Sequence, residues 1–370
     1  MKNQKGLSLI ELMVAITIGA MLLAGAVTLL VNNKRIYKTQ DAMARMQENS
    51  RFALDRLISD IRIAGYKGCS HDYLSIYNHV DDGTGESSAG KGSTGIANYG
   101  GRTGLDDTDK IDNALFSTDI EGSEGGNAWL PSTRANIYTM YGDGITLRYF
   151  RGQDLTIVAP DMVDPDDPIY LNKPVGFTIN EDDIVTISNC NGADIFKVSA
   201  DPAFDSNSDG SINDADTEIV LTHAIKNSAN ENVNTSANLS QAYTSSADDN
   251  VTINSVVTRR YFVGDGDKGT SLFVAETDVL ADAIEMVEGV DSMNIEYGVN
   301  TDADPALEGY YNATAVNALT ITPTTVPATN PWDRVVSVRI TLTFSAIDRD
   351  DSANPDARTM TTTVKLRNRS

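Results

Sequence analysis

The strongest constraint on this chain is an unbroken apolar segment close to its beginning. Residues 12–31 are twenty consecutive residues without a charge or a proline, and most of them are Leu, Ile, Val, Ala or Met. A helix of this length spans the ~30 Å hydrocarbon core of a bilayer. We therefore predict one transmembrane helix over residues 12–31.

The helical pattern continues beyond this apolar segment. Two oppositely charged pairs, Arg51 with Asp55 and Arg56 with Asp60, are spaced i, i+4, and no proline occurs in the first sixty-four residues. The pattern predicts one helix over residues 7–64, about 85 Å long, with an amphipathic second half. Its apolar stripe comprises Met43, Met46, Leu54, Leu57, Ile61 and Ala64. A cleaved secretory signal, the usual alternative, has a shorter apolar region and no continuing helix.

Charge is distributed unevenly along the chain, whose formal net charge is −23. Residues 65–370 carry twenty Lys or Arg against forty-seven Asp or Glu, a net charge of −27. So acidic a body repels phosphate backbones, which argues against nucleic-acid binding. A hydrophobic content of 41% nevertheless suffices for a globular core.

Residues 65–370 show the pattern of a β domain. Turn residues separate the strand patterns: Asp265-Gly266-Asp267 predicts a hairpin, and residues 348–357 would join the last two strands. With few helical patterns between the strands, we predict a mainly antiparallel sheet and an α+β fold. The predicted strands cover residues 145–150, 155–159, 184–188, 194–199, 218–222, 251–263, 271–275, 293–299, 334–346 and 359–366.

Two segments of this body predict long surface insertions. Residues 81–126 and 226–250 are rich in Gly, Ser, Asn, Asp and Thr and poor in large apolar side chains. Segments of this composition cannot bury much apolar surface, so we expect both to be mobile.

One carboxylate, Glu11, stands at the edge of the apolar segment, five residues after Gly6. A carboxylate in a membrane usually has a partner. If the chain were cut between Gly6 and Leu7, the new amine of Leu7 would lie one helical turn from Glu11 and could neutralise it, in the same chain or a neighbouring one. The alternative is an ordinary single-pass anchor with a chance glutamate.

Residues 5–12, with the sequence KGLSLIEL, resemble the type III leader of type IV prepilins. The resemblance implies that residues 1–6 are a leader peptide, that a prepilin peptidase cuts after Gly6, and that Leu7 becomes N-methylated. It also implies that Glu11 acts in assembly with other pilins. The body, residues 65–370, is then periplasmic, on a single-pass protein of the bacterial inner membrane that enters a pilus (fimbrium).

Patches of the body are similar to the PilW family of minor pilins. This resemblance implies a protein that helps initiate or cap pilus assembly together with other minor pilins, major pilins and the inner-membrane assembly machinery. The related J-type minor pseudopilin of type II secretion is the nearest alternative, and a membrane-tethered hydrolase is a third. The patches are residues 60–69, 141–149, 187–196, 287–290, 297–298 and 332–340.

The chain has two cysteines, Cys69 and Cys190, with no CxxC pair and no histidine cluster beside them, which excludes common zinc and redox motifs. In the oxidising compartment that the resemblance implies, we predict a disulfide between them. Closing so long a loop contributes about 4 to 5 kcal/mol. Two free buried thiols are the alternative.

Residues 205–216, with the sequence DSNSDGSINDAD, fit a twelve-residue calcium loop. Gly210 at loop position 6 permits the sharp turn, and Ile212 at position 8 can anchor the loop. We predict a structural Ca²⁺ there; a polar turn that merely faces solvent is the alternative. The predicted ligands are Asp205, Asn207, Asp209, Ser211 through its carbonyl, Asn213 through water, and Asp216.

No catalytic residue is predicted. Residues 85–92 imitate a phosphate-binding loop, but Gly92 replaces the Ser or Thr that would hold magnesium and no strand precedes the motif. The three histidines, His71, His79 and His223, have no metal or nucleophile spacing, and we predict all three at the surface.

Overall fold

The computed structural model describes residues 9–66, 76–80, 120–123, 140–152, 155–172, 179–202, 218–246, 250–266, 269–275, 283–301, 307–320, 331–345 and 357–367. These residues form an α+β fold, as predicted: one long helix followed by a mostly antiparallel β domain, which we call the head. The elements are α1 (Leu9–Ile63), β1 (Ile76–Asn78), β2 (Ile120–Ser123), β3 (Gly144–Gly152), β4 (Thr156–Ile157), β5 (Ile169–Asn172), β6 (Ile184–Asn189), β7 (Gly192–Lys197), β8 (Glu218–Leu221), β9 (Thr252–Gly266), β10 (Gly269–Ala275), β11 (Ile284–Glu288), β12 (Val290–Val299), β13 (Gly309–Tyr311), α2 (Ala313–Asn317), a 3-10 helix (Pro331–Arg334), β14 (Val335–Phe344) and β15 (Arg358–Lys365).

The long helix α1 is continuous over fifty-five residues, which confirms the predicted rod. It ends where Gly65 takes a φ of 74°, a left-handed conformation that glycine adopts without a side-chain penalty. The Ala64 amide still donates to the Asp60 carbonyl at 3.1 Å, so the last turn is closed before the chain leaves the helix.

The largest sheet of the head has eight strands organised around β9. One edge of β9 pairs with β6 near its start and with β10 near its end, while the other edge pairs with β3. The sheet order is β1-β7-β6-β9-β10-β11, with β2 beyond β3. Only the β1–β7 pair of this sheet is parallel among the described strands. The long strand β9 therefore joins both halves of the sheet.

Two smaller sheets complete the head. A four-stranded antiparallel sheet has the order β13-β12-β14-β15, and a three-stranded one the order β4-β5-β8. Buried and partly exposed residues alternate along most of β14, so one face of the four-stranded sheet is apolar. That face, the second half of α1 and the β3–β9–β10 region share one hydrophobic cluster.

A short turn before β3 joins the two larger sheets. The amide of Asp143 donates to the carbonyl of Met293 at 2.7 Å, and its carboxylate accepts from the amide of Ile295 at 2.8 Å. Gly142 has a φ of 88°, and a Cβ there would lie 2.1 Å from the Met293 carbonyl oxygen. Only glycine allows the turn to approach β12 this closely.

Within the described residues, the structure confirms strands in all ten predicted regions and contains five further strands, β1, β2, β5, β11 and β13. The hairpin across residues 265–267 is confirmed, since β9 and β10 pair antiparallel. Strand β2 falls inside the predicted insertion 81–126, most of which lies outside the described residues. These short strands were missed because three to five residues carry too little periodicity to identify a strand.

The prediction of a surface insertion over residues 226–250 holds only in part for residues 226–246, which lie at the surface but also contribute buried side chains. Val233, Leu239 and Tyr243 of this segment are buried. The side-chain amide of Asn234 donates to the carbonyls of Lys197 and Ala224 at 2.8 and 2.9 Å. A few well-placed apolar and amide side chains therefore hold a segment of polar composition onto the core.

The prediction of surface histidines is wrong for His79 and His223, which are both buried. His79 Nε2 lies 2.7 Å from Asp194 Oδ1. His223 lies between the carbonyls of Asp167 and Ala237, and its burial lowers the pKa more than these two hydrogen bonds raise it. His71 lies outside the described residues.

We expect Gly142→Ala to lower the free energy of unfolding by about 2 kcal/mol or more, because the added methyl group strains the left-handed turn and meets the Met293 carbonyl. Urea unfolding of the detergent-solubilised protein measures this. Gly152→Ala at the other end of β3 is the matched control, since its Cβ would come no closer than 3.8 Å to another atom. Equal stability of the two variants would contradict the assigned role of the turn.

Candidate functional site: the N-terminal helix and its anchor

The first half of α1, residues 9–40, is exposed along its whole length, and we call it the bare half. Every residue from 9 to 40 is exposed, including large apolar side chains such as Leu9, Met21 and Leu30. The mean hydropathy reaches 2.4 over an eighteen-residue window, and none of that window is buried. By length and composition α1 could cross a membrane, although a signal sequence near an N-terminus has the same properties. A surface this apolar needs lipid or other protein to cover it.

Glu11 lies in the first turn of this bare half and is exposed. It is the only acidic residue among residues 9–40. The amides at a helix N-terminus carry a partial positive charge, which favours a carboxylate in this position. The amine of Leu7, its predicted partner, lies outside the described residues.

The hydroxyl groups of the bare half are satisfied within the helix. Thr17 Oγ1 donates to the Met13 carbonyl at 3.0 Å, and Thr28 Oγ1 donates to the Ala24 carbonyl at 2.8 Å. Polar groups in hydrocarbon need such internal partners, because no water is available to them. These two threonines are therefore compatible with a lipid environment.

The second half of α1 packs onto the head along the predicted stripe. Met46 is its first buried residue, and Ala53, Leu57 and Ile61 are completely buried in the largest cluster. Burial of a Leu or Ile side chain contributes about 1.5–3 kcal/mol. The stripe therefore attaches the helix to the apolar face of the β sheets.

A buried carboxylate, Asp60, anchors the end of the helix to β9. Both carboxylate oxygens of Asp60 accept from Nη1 of Arg259 at 2.8 Å, and the hydroxyl of Tyr261 donates to Asp60 Oδ2. Nε of Arg56 lies 3.6 Å from the same carboxylate. Arg259 and Tyr261 are two residues apart on one strand, so their side chains lie on the same face.

Two further residues of the head, Tyr261 and Tyr149, complete the surroundings of this anchor. Burial and the hydrogen bond to Asp60 raise the pKa of Tyr261, so its hydroxyl stays a donor. The guanidinium of Arg259 lies 5.9 Å from the ring centre of Tyr149, which adds a cation–π contact from β3. The carboxylate is thus held by two cations and one hydroxyl.

Main-chain hydrogen bonds continue the attachment on both sides of Asp60. The amide of Gly65 donates to the Arg148 carbonyl at 2.9 Å, and the Tyr66 carbonyl accepts from the Phe150 amide at 2.8 Å. Earlier in the helix, the side-chain amide of Asn49 donates to the Glu288 carbonyl at 3.1 Å. The helix end is therefore fixed in position and direction relative to the head.

Most of the site residues predicted from sequence fall outside the described residues. These are Gly6, Leu7, Cys69 and the calcium ligands Asp205, Asn207, Asp209, Ser211, Asn213 and Asp216. Cys190 lies in the turn between β6 and β7. The cleavage site, the disulfide and the calcium loop therefore stay predictions.

Sequence reasoning missed the anchor. Asp60 was assigned only to an exposed i, i+4 pair with Arg56, yet it is buried and bonds to residues about two hundred positions further along the chain. A signal was present in Arg259 and Arg260, two adjacent arginines inside a predicted apolar strand. Buried cations require an acidic partner, and an acid flanking the helix stripe could have been proposed.

A second buried carboxylate, Asp194 on β7, contacts a histidine and a serine. These are the residue types of a Ser-His-Asp catalytic triad, but they are arranged differently. It accepts from His79, from the hydroxyl of Tyr243 at 2.6 Å and from both the amide and the hydroxyl of Ser240. The serine hydroxyl donates to the carboxylate rather than to the imidazole, which differs from the nucleophile–histidine–carboxylate order of a hydrolase triad. These contacts bind β1 and the segment 226–246 to β7.

Comparison with known families gives two matches. The family model described as type IV pilus-assembly protein W, PilW, matches residues 260–368, and the prokaryotic N-terminal methylation motif matches residues 1–27. The first match begins within β9 and extends past β15, and the second contains Gly6, Leu7 and Glu11. No curated protein and no solved structure matches the chain.

The two matches together cover less than half of the chain and make it similar to type IV pilus-assembly proteins. The methylation motif and the bare apolar helix together suggest a membrane-anchored pilin. The similarity found in the sequence to minor pilins is confirmed.

We expect Asp60→Asn to lower the free energy of unfolding by about 3 kcal/mol or more, because the buried guanidinium of Arg259 loses its counter-charge. Urea unfolding of the detergent-solubilised full chain measures the change. Asp55→Asn is the matched control: it removes an exposed pair with Arg51 on the same helix and should cost about 0.5 kcal/mol or less. Similar losses in both variants would show that Asp60 does not anchor the helix.

Proposed function

We propose that this protein is a minor type IV pilin that helps initiate or cap pilus assembly after a leader peptide is removed. The single observation that supports this most strongly is the construction of α1: a bare apolar half bearing Glu11, continuous with a half that is fixed to the head through Asp60. A rod of this kind can insert among other apolar helices while it carries its head to a defined position.

In this proposal, residues 1–6 are removed by the prepilin peptidase, and Leu7 is methylated. The protein then lies in the bacterial inner membrane with its head in the periplasm until it enters the pilus. Support comes from the methylation-motif match over residues 1–27 and from the apolar window of α1.

Assembly with other minor and major pilins would use the bare half of α1. In the proposed contact, the Leu7 amine of this chain or of a neighbour neutralises Glu11, because an unpaired carboxylate in hydrocarbon costs several kcal/mol. The inner-membrane assembly machinery would move the subunit out of the bilayer. The bare side chains of residues 9–31 offer the apolar surface for the neighbouring helices.

Two stabilising features of the head belong to the same proposal. A disulfide between Cys69 and Cys190 would connect the chain just beyond α1 to the β6–β7 turn, and a structural Ca²⁺ would bind residues 205–216. The net charge of −27 over residues 65–370 supports the second feature, since a cation relieves repulsion among neighbouring carboxylates.

We expect the protein isolated from cells to begin at an N-methylated Leu7, because the proposed leader ends at Gly6, inside the residues that the methylation motif matches. Mass spectrometry of the N-terminal peptide tests this. A chain that begins at an intact Met1, or one cut near residue 30, would contradict the proposal.

We expect Glu11→Gln to reduce incorporation of the protein into sheared pili at least tenfold, because the proposed partner amine loses its counter-charge. Glu48→Gln, an exposed acid in the second half of α1, is the matched control and should leave incorporation unchanged.

The alternative function, a minor pseudopilin of type II secretion, is tested by measuring secretion in a deletion strain. Lost secretion with normal pilus numbers would identify a pseudopilin.

We expect the full chain to bind one Ca²⁺ in titration calorimetry and Asp205→Asn with Asp209→Asn to abolish that binding, because two of the loop's carboxylates are then removed. Asp164→Asn with Asp166→Asn, two exposed acids of another turn, is the control with the same change in charge. Equal loss in both variants would point to non-specific binding by the acidic head.

A further inference from the structure

A short cluster of basic side chains lies on one side of α1 just past its apolar segment. Lys34, Arg35 and Lys38 are exposed, and Tyr37 beside them has 73% of its surface exposed. We call these four residues the collar. Between residues 12 and 40 the chain has no acidic residue, so the collar carries a local charge of +3.

The collar lies at the depth where phospholipid headgroups would be. With a rise of 1.5 Å per residue, its residues stand about 5–11 Å beyond residue 31, where the apolar segment ends. Lys34 and Lys38 are one helical turn apart and share one side of the helix, with Arg35 adjacent. Lysine and arginine reach headgroups with flexible stems, and tyrosine is enriched at the same level of membranes.

The acidic head is held away from this level. Met46 is the first residue of α1 that the head buries, and it lies about 12 Å along the helix from Lys38. This spacing exceeds the Debye length of about 8 Å at physiological ionic strength. A head with a net charge of −27 is therefore largely screened from a negative membrane surface, while the collar contacts it.

We propose that the collar binds the phosphate groups of anionic phospholipids where α1 leaves the bilayer, and so sets how far the helix inserts. This inference rests on the proposed membrane anchoring of α1. The collar supplies three cations and the amphipathic aromatic ring of Tyr37. The three cations complement an anionic headgroup better than a zwitterionic one. The nearest acid beyond the collar, Asp41, forms an ion pair with Arg45 at 2.9 Å.

The test is native mass spectrometry of the full-length protein in micelles containing equal amounts of phosphatidylglycerol and phosphatidylcholine. The wild type should retain phosphatidylglycerol preferentially, and the triple variant Lys34→Gln/Arg35→Gln/Lys38→Gln should lose roughly a fivefold preference for each cation removed. Raising the salt concentration from about 0.05 M to about 0.5 M should weaken the wild-type preference in the same direction.

The control removes three cations from the second half of the same helix. The variant Arg45→Gln/Arg51→Gln/Arg62→Gln has the same net charge as the collar variant and should keep the wild-type preference. A wild type without preference, a collar variant that keeps it, or a control that loses it equally would overturn the inference. Insertion of all three proteins into liposomes is measured separately: failure of the wild type to insert would count against the membrane anchor itself, whereas normal insertion isolates the effect of the collar.

Discussion

A buried ion pair between the end of the long helix and the longest strand organises this protein. Asp60 of α1 accepts from Arg259 and Tyr261 of β9, and β9 in turn pairs with β3, β6 and β10. A charge taken out of water is tolerated only when its partners are in place. The helix can therefore have only one rotation and one height relative to the sheets, because any other would leave Asp60 or Arg259 unpaired.

The apolar stripe and the ion pair have different roles in this attachment. Burial of Leu57, Ile61 and their neighbours stabilises the contact, but hydrophobic contacts alone allow a helix to slide or turn. The charged and main-chain hydrogen bonds around Asp60 and Gly65 define the geometry. As a result, the direction of α1 relative to the head is fixed even though its first half is exposed along its whole length. This suits a subunit that must pack its helix among other helices.

The two family matches cover the start of α1 and the C-terminal part of the head, and both Asp60 and Arg259 lie outside them. One covers the beginning of the bare half of α1, and the other runs from within β9 to the last strand, including the sheet that packs on the second half of α1. Residues 28–259 lie outside both matches and include Asp60, the buried Asp194 cluster, the three-stranded sheet and the predicted calcium loop.

The sequence by itself determined the helix, its apolar and amphipathic halves, the leader-like motif with Glu11, and the antiparallel β character of the head, because each depends on local periodicity or a local motif. Only the tertiary structure decided that Asp60 is an anchor rather than a surface acid, that His79 and His223 are buried, and that the polar segment 226–246 packs on the core through a few buried side chains. Each of these depends on partners distant in the chain: the contact between Asp60 and Arg259 spans 199 residues. Whether a polar side chain is buried depends on which distant residues pack against it, and the local sequence pattern does not contain that information.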